Sequence, residues 1–240
     1  GYGLTETAPI VTLNHPLHAA RGAVGKPIAG VEVKIAEDGE ILARGGNVTK
    51  GYFKNEEATK ELLDNEGWMR SGDVGELDDN GYLTITDRKK DLIITAGGKN
   101  IAPQEIENKI KFHDLISQAV VIGDRRPFLT AIITLDEEKA PVWAKEHGVD
   151  ASDVAGIAGD ERTLKEIEAA INEVNNSLAR VEGVKKFRVL DRDFLEEENE
   201  ITPTLKVKRK QIGENYNEHI EEMYKKDSPS SATVKAPQRK

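Results

Sequence analysis

The chain has 240 residues, 38% of them hydrophobic and 32% charged, a composition that supports a packed core under a heavily charged surface and excludes an intrinsically disordered chain. A formal net charge of −9 argues against a dedicated nucleic-acid binder, and the longest clean apolar runs, such as Ala119-Val120-Val121-Ile122, are strand-sized rather than membrane-spanning. With no cysteine, disulfides, thiolate metal sites and a cysteine nucleophile are all excluded, so any thioester chemistry needs a thiol from outside the chain.

In chain order, the first region reads as strands broken by turns. Val31-Glu32-Val33-Lys34-Ile35 alternates apolar and polar, Asp38-Gly39 signals a hairpin, and Ile41-Leu42-Ala43 returns. Asn55 is placed to cap a short helix reaching Leu63, with Glu56 and Glu57 in its first turn. A second hairpin follows, Val74 to Leu77 and Tyr82 to Thr86 around Asp79-Asn80-Gly81. The five charges Asp87-Arg88-Lys89-Lys90-Asp91 then read as a solvated turn and a candidate linker, because a different architecture lies beyond them. There Leu92-Ile93-Ile94 is a buried-type strand, Pro103 suits the first position of a helix, and Ser117–Gly123 and Leu129–Leu135 are strands. Leu164, Ile167, Ile171, Val174 and Leu178 line one face of a long helix, Val184–Leu190 is a strand, and Ile212, Tyr216, Ile220 and Met223 mark a last helix. From Asp227 onward the Ser/Pro-rich, basic tail is expected to be disordered.

The usual catalytic signatures are missing. Gly97-Gly98-Lys99 lacks the upstream glycine of a phosphate loop, no dinucleotide fingerprint follows a strand, and no serine elbow occurs. The histidines at 15, 18, 113, 147 and 219 are scattered without metal-ligand pairing.

Four segments carry more when taken together: Tyr2-Gly3-Leu4-Thr5-Glu6-Thr7, Gly67-Trp68-Met69-Arg70-Ser71-Gly72-Asp73, the run from Asp87 through Gly97-Gly98-Lys99-Asn100-Ile101-Ala102-Pro103 to Glu105-Ile106-Glu107, and Thr202-Pro203-Thr204-Leu205-Lys206-Val207-Lys208-Arg209. In order and separation they resemble the adenylate-forming superfamily, and within it the AMP-forming acyl-CoA synthetases of the bacterial long-chain fatty-acid type. The resemblance implies a mixed α+β fold: residues 1–87 as a β-rich end of a large domain, 88–226 as a mobile α+β lid, and 227–240 as tail. The start on Gly1 sets the expectation that a further N-terminal region, with the pyrophosphate-gripping loop and the acyl tunnel, belongs to the same polypeptide.

By the same resemblance Tyr2 stacks on adenine, Thr5 meets a phosphate oxygen, Glu6 is a ligand of Mg²⁺, and Asp73 and Arg88 hold ribose and phosphate. Lys90 sits at the hinge, Gly97 and Gly98 line the passage for the pantetheine arm of coenzyme A, and Lys206 is the catalytic lysine of adenylation. Read from the residues alone, Tyr2 could equally be a packed tyrosine, Asp73 a turn cap and the glycines a tight turn. Lys206, Lys208, Arg209 and Lys210 crowd the expected start of the last helix, where cations oppose the helix dipole, so an anion is expected near them. The implied ligands are ATP or AMP, Mg²⁺, coenzyme A and a fatty acid, with a cytoplasmic location and peripheral membrane contact left open. The rival readings are a short-chain or aryl-acid ligase, and a non-catalytic nucleotide- or CoA-binding module.

Overall fold

The computed structural model describes residues 1–151 and 153–234. The chain divides into two compact units, Gly1–Leu92 and Ile93–Lys240, each with its own core.

In the first unit a two-stranded pair, β1 (Thr12–Leu13) and β2 (Lys26–Pro27), precedes an antiparallel sheet of β3 (Val31–Ile35), β4 (Glu40–Gly45), β5 (Met69–Leu77) and β6 (Leu83–Arg88), in that spatial order. The alternation expected at 31–35 is present, and Gly39, at φ 84°, makes the turn that pairs Ile35 with Ile41. Helix α1 (Glu56–Leu62) lies between β4 and β5, and the Asn55 side chain accepts the Ala58 N–H at 3.1 Å, as a cap should. Val11, Ala43 and Met69 form the centre of the core, and Tyr2 packs against it.

The charged run at 87–91 is not simply solvated. β6 continues through Arg88, Asp87 is buried, and Lys89 is held by Asp38 and Glu40; of the five, Arg88 and Lys90 are exposed. The physical reason is register, because antiparallel pairing to β5 carries the strand past the last apolar residue.

The second unit opens with a hairpin, β7 (Ile93–Ile94) and β8 (Asn100–Ile101). Ile93 is buried, but Ile94 is 50% exposed, so this short strand shows one face to solvent rather than being buried throughout. Helix α2 (Pro103–Ile110), strands β9 (Ile116–Ile122) and β10 (Leu129–Leu135), helices α3 (Lys139–Glu146), α4 (Val154–Gly159) and α5 (Glu161–Asn176), strand β11 (Val184–Leu190), helices α6 (Arg209–Asn215) and α7 (Asn217–Met223), and strand β12 (Ser231–Val234) complete it. The sheet order is β12-β11-β10-β9, with β9 and β10 antiparallel and β10, β11 and β12 parallel. Period-two alternation splits the core between the faces. Ala119, Val121, Ala131 and Ile133 face one cluster with Ile106 of α2 and Ile167 and Ile171 of α5, while Val120 and Ile132 join Ile212, Tyr216, Ile220 and Met223 on the other.

Two expectations differ from this arrangement. The last helix is two short ones, parted at Tyr216, whose side chain is fully buried. The tail expected from Asp227 contributes a strand at Ser231–Val234, seated where the buried Arg188 of β11 donates to the Ser228 hydroxyl at 2.6 Å and the Pro229 carbonyl at 3.3 Å; residues 235–240 lie outside the described residues. Among the described residues no helix is long and apolar enough to cross a membrane.

Candidate nucleotide and adenylation sites

In the first unit the fold brings Tyr2, Asp73 and Arg88 together. The Tyr2 hydroxyl donates to Asp73 Oδ2 at 2.6 Å, and Arg88 Nε lies 2.7 Å from Asp73 Oδ1. Asp73 and Arg88 are register partners across β5 and β6, and Tyr2 is placed by backbone hydrogen bonds to Val11 and Thr12. Gly72, at φ 72°, turns the chain in front of Asp73, and Ser71 Oγ accepts the Asp73 N–H at 3.0 Å. Burial, and then the bond to Asp73, push the Tyr2 phenol well above its ordinary value. Asp73 is 4% exposed. A carboxylate accepts about four hydrogen bonds, so Asp73, with one partner on each oxygen, keeps capacity for two ligand hydroxyls. That donor and acceptor set fits a ribose diol.

Thr5 opens a short 3₁₀ turn, Thr5–Thr7, and is exposed. Glu6 Oε1 accepts the Tyr52 hydroxyl at 2.7 Å, which raises the Tyr52 pKa. Among the described residues no cluster of three metal-ligating side chains exists. A lone carboxylate is nonetheless the protein share that Mg²⁺ takes when substrate phosphates supply further oxygens, so Glu6 fits that ion.

Lys90 lies exposed in the 3₁₀ turn Lys89–Asp91. Its neighbour Lys89 is fixed by Asp38 at 2.7 Å and by the buried Glu40 at 2.8 Å, and Glu40 also accepts the Gly72 N–H at 3.0 Å. One buried carboxylate thus ties the turn before Asp73 to the segment before Lys90.

In the second unit Gly97 and Gly98 form the exposed turn of the β7–β8 hairpin, closed by Gly98 N–H to Thr95 O at 2.8 Å. Gly98 has φ 78°, which favours glycine, whereas a Cβ on Gly97 would meet nothing closer than Thr95 Oγ1 at 3.9 Å. Lys206 is exposed on a tight loop closed by Thr202 N–H to Lys206 O at 2.8 Å and by the Ile201–Val207 bridge. Its ammonium has no ion pair among the described residues.

The expected crowding of cations takes a different form. Arg209 forks onto Glu107, at 2.5 and 2.9 Å, and donates to the Val121 carbonyl at 3.0 Å; Lys208 bonds Asn199, and Lys210 lies 3.9 Å from Glu214. The anion near Arg209 is therefore a side chain of the protein itself, and Lys206 alone of the four projects without a partner among the described residues.

The family described as "AMP-binding enzyme C-terminal domain" matches residues 90–228, and "AMP-binding enzyme" matches residues 1–53. The chain belongs to the AMP-binding enzymes. It is 45% identical over 228 residues to the long-chain-fatty-acid–CoA ligase FadD15 of Mycobacterium bovis, covering 95% of this chain and 38% of that protein. Among solved structures it resembles apo MatB of Rhodopseudomonas palustris (28% identity, TM-score 0.61, 93% of this chain and 41% of that one). It also resembles the O-succinylbenzoate coenzyme A synthetase of Bacillus subtilis in complex with ATP and magnesium (30%, 0.64, 88% and 40%). The chain thus spans well under half the length of the AMP-binding enzymes it matches.

For an AMP-binding enzyme, the sequence reading gave no site role to four residues: Tyr52, which holds Glu6, and the carboxylates Glu40, Glu107 and Glu200. Glu107 lies in the third family segment, where it reads only as an acid opening the Pro103 helix, and nothing in one sequence separates Glu40 and Glu200 from the rest of the 43 acidic residues. A groove of about 830 Å³ lined by Phe112, His113, Val142, Trp143 and His147 contains none of the candidate site residues, and within it His113 pairs with Glu166 at 3.1 Å and Lys139 with Asp114 at 2.6 Å.

Proposed function

We propose that this chain acts as part of an AMP-forming long-chain fatty-acid–CoA ligase, supplying the lid domain, the hinge and the adenylation lysine. The observation that carries this is the 45% identity, over 95% of the chain, to a ligase of that name. The short-chain or aryl-acid alternative has less support, since the O-succinylbenzoate synthetase stands at 30%.

The reaction takes two steps. A fatty carboxylate oxygen attacks the α-phosphorus of ATP, the bond to the bridging oxygen breaks, and pyrophosphate leaves with the electron pair. The sulfur of coenzyme A then attacks the acyl carbon, losing its proton, and AMP departs; these 240 residues contain no cysteine to compete with that thiol. Tyr2 offers its ring face to adenine, Asp73 accepts from the ribose hydroxyls, and Arg88 and Thr5 donate to ribose or phosphate oxygens. Bound at Glu6, Mg²⁺ would neutralise phosphate charge. The unpaired Lys206 ammonium stabilises negative charge that develops in the first step. Rotation about Lys90 then withdraws it and brings the Gly97-Gly98 turn to the pantetheine arm, a change that a few residues at an element end can absorb. The same reading places the ligase in the cytoplasm, with peripheral contact to the inner face of the membrane left open.

The test is acyl-CoA formation by the full-length protein across acyl lengths, with Lys206→Ala alongside. Long-chain acids should be preferred, and the variant should lose ATP–pyrophosphate exchange while still transferring the acyl group from supplied acyl-adenylate. Preference for short or aromatic acids would overturn the assignment. These 240 residues alone should show no exchange, because the resemblance places the pyrophosphate loop in a region upstream.

A further inference from the structure

The loop that carries Lys206 stands on a carboxylate that nothing in the family segments singles out. Glu200 is 0% exposed, and its carbonyl accepts the Lys208 N–H at 2.8 Å, next to the Ile201–Val207 bridge that closes the loop. Its carboxylate takes Arg192 Nη1 at 2.7 Å, the Leu195 N–H at 2.9 Å, the Tyr216 hydroxyl at 2.7 Å and the Asn215 amide at 3.3 Å. These donors come from the segment after β11, from the end of α6 and from the junction of α6 with α7. Burial alone would push Glu200 up, yet Arg192, the Leu195 N–H and Tyr216 hold it below the usual carboxylate range.

A buried ion pair is weak grounds for stability, since a well-packed apolar residue often does as well. What several donors from different directions add is a single fixed side-chain geometry. The tip of the loop, by contrast, is exposed: Leu205 is 71% exposed at φ 59°, and Lys206 follows it. A small tilt at the base is therefore magnified at the ammonium.

We infer that Glu200 is a positioning residue for Lys206, fixing the base of its loop so that the ammonium reaches the reacting phosphate in one geometry. The inference rests on the adenylation role proposed for Lys206. Misplacement of a reacting group by about 1 Å can cost about 10²-fold in rate. Because Lys206 is withdrawn before thiol attack, the loss falls on the first step alone.

The experiment uses the full-length ligase and measures ATP–pyrophosphate exchange beside acyl transfer from supplied acyl-adenylate. Glu200→Gln should slow exchange by about 10²-fold and change acyl transfer by no more than about threefold. Tyr216→Phe removes one donor and keeps the ring, so it serves if the first variant fails to fold; its exchange should fall about three- to tenfold with acyl transfer held. A parallel fall in both half-reactions for Tyr216→Phe, or no change in either, overturns the inference. Lys206→Ala separates the premises: if it keeps normal exchange, the lysine's role itself is wrong, whereas loss of exchange there with wild-type ratios in both other variants refutes Glu200 alone.

Discussion

Asp73 receives Tyr2 on one oxygen and Arg88 on the other, so each partner can be removed separately. Hydrogen bonds to charged groups contribute about 1.5–3 kcal/mol, so Asp73→Ala in the full-length ligase should weaken ATP binding by about 10- to 100-fold by calorimetry. Tyr2→Phe keeps the ring face and should cost less, within about tenfold. Equal losses from the two would show that the phenol, not the ring, is what the nucleotide needs. The phenols make a second prediction. Tyr2 and Tyr216 are raised above their ordinary value chiefly by burial, so their neutral forms stabilise the folded state fully below the unfolded value of about 10, and that stability drains away as pH rises toward the higher folded value. Absorbance at alkaline pH should therefore show these two ionising late and together with unfolding. Smooth ionisation of all five tyrosines near pH 10 in the folded protein would contradict it.

At the scale of elements, the two turns proposed to act in catalysis differ in how far the fold constrains them. Gly97 has an ordinary φ and room for a methyl, so Gly97→Ala should leave the melting temperature of the second unit nearly unchanged while slowing acyl transfer to coenzyme A. A large drop in melting temperature with normal transfer would show that the turn is needed for folding only. Strands β9, β10 and β11 were legible because apolar runs bounded by turn residues have few other solutions, and α5 because its apolar spacing is helical. Helices α3 and α4 were not. Pro141 falls in the first turn of α3, where its missing N–H costs nothing, and α4 has two glycines among six residues, held by the Asp153 cap to the Gly156 N–H at 2.8 Å and by burial of Ile157 and Ala158. Strand β12 depends on the edge of β11 and on Arg188, neither of which is local to it. Tyr2, Asp73 and Arg88 could each be picked from their segments, but their meeting across 71 positions is a matter of register that one sequence does not display.

On the scale of the whole molecule, each unit carries its own core, and both faces of the second sheet are covered by helices from its own span. Residues 93–240 expressed by themselves should accordingly unfold in one cooperative transition, followed by circular dichroism; a broad, non-cooperative melt would show that this core needs residues from outside the unit. The border of that sheet has a consequence of another kind. β9 is an edge strand, yet at Val121 its outward N–H is taken by Glu107 at 2.7 Å and its outward carbonyl by Arg209 at 3.0 Å. A side-chain pair thus occupies the polar groups that would otherwise recruit a foreign strand. Arg209→Ala should expose that margin and make the protein self-associate with rising concentration in light scattering, a cost in solubility quite separate from any loss of turnover.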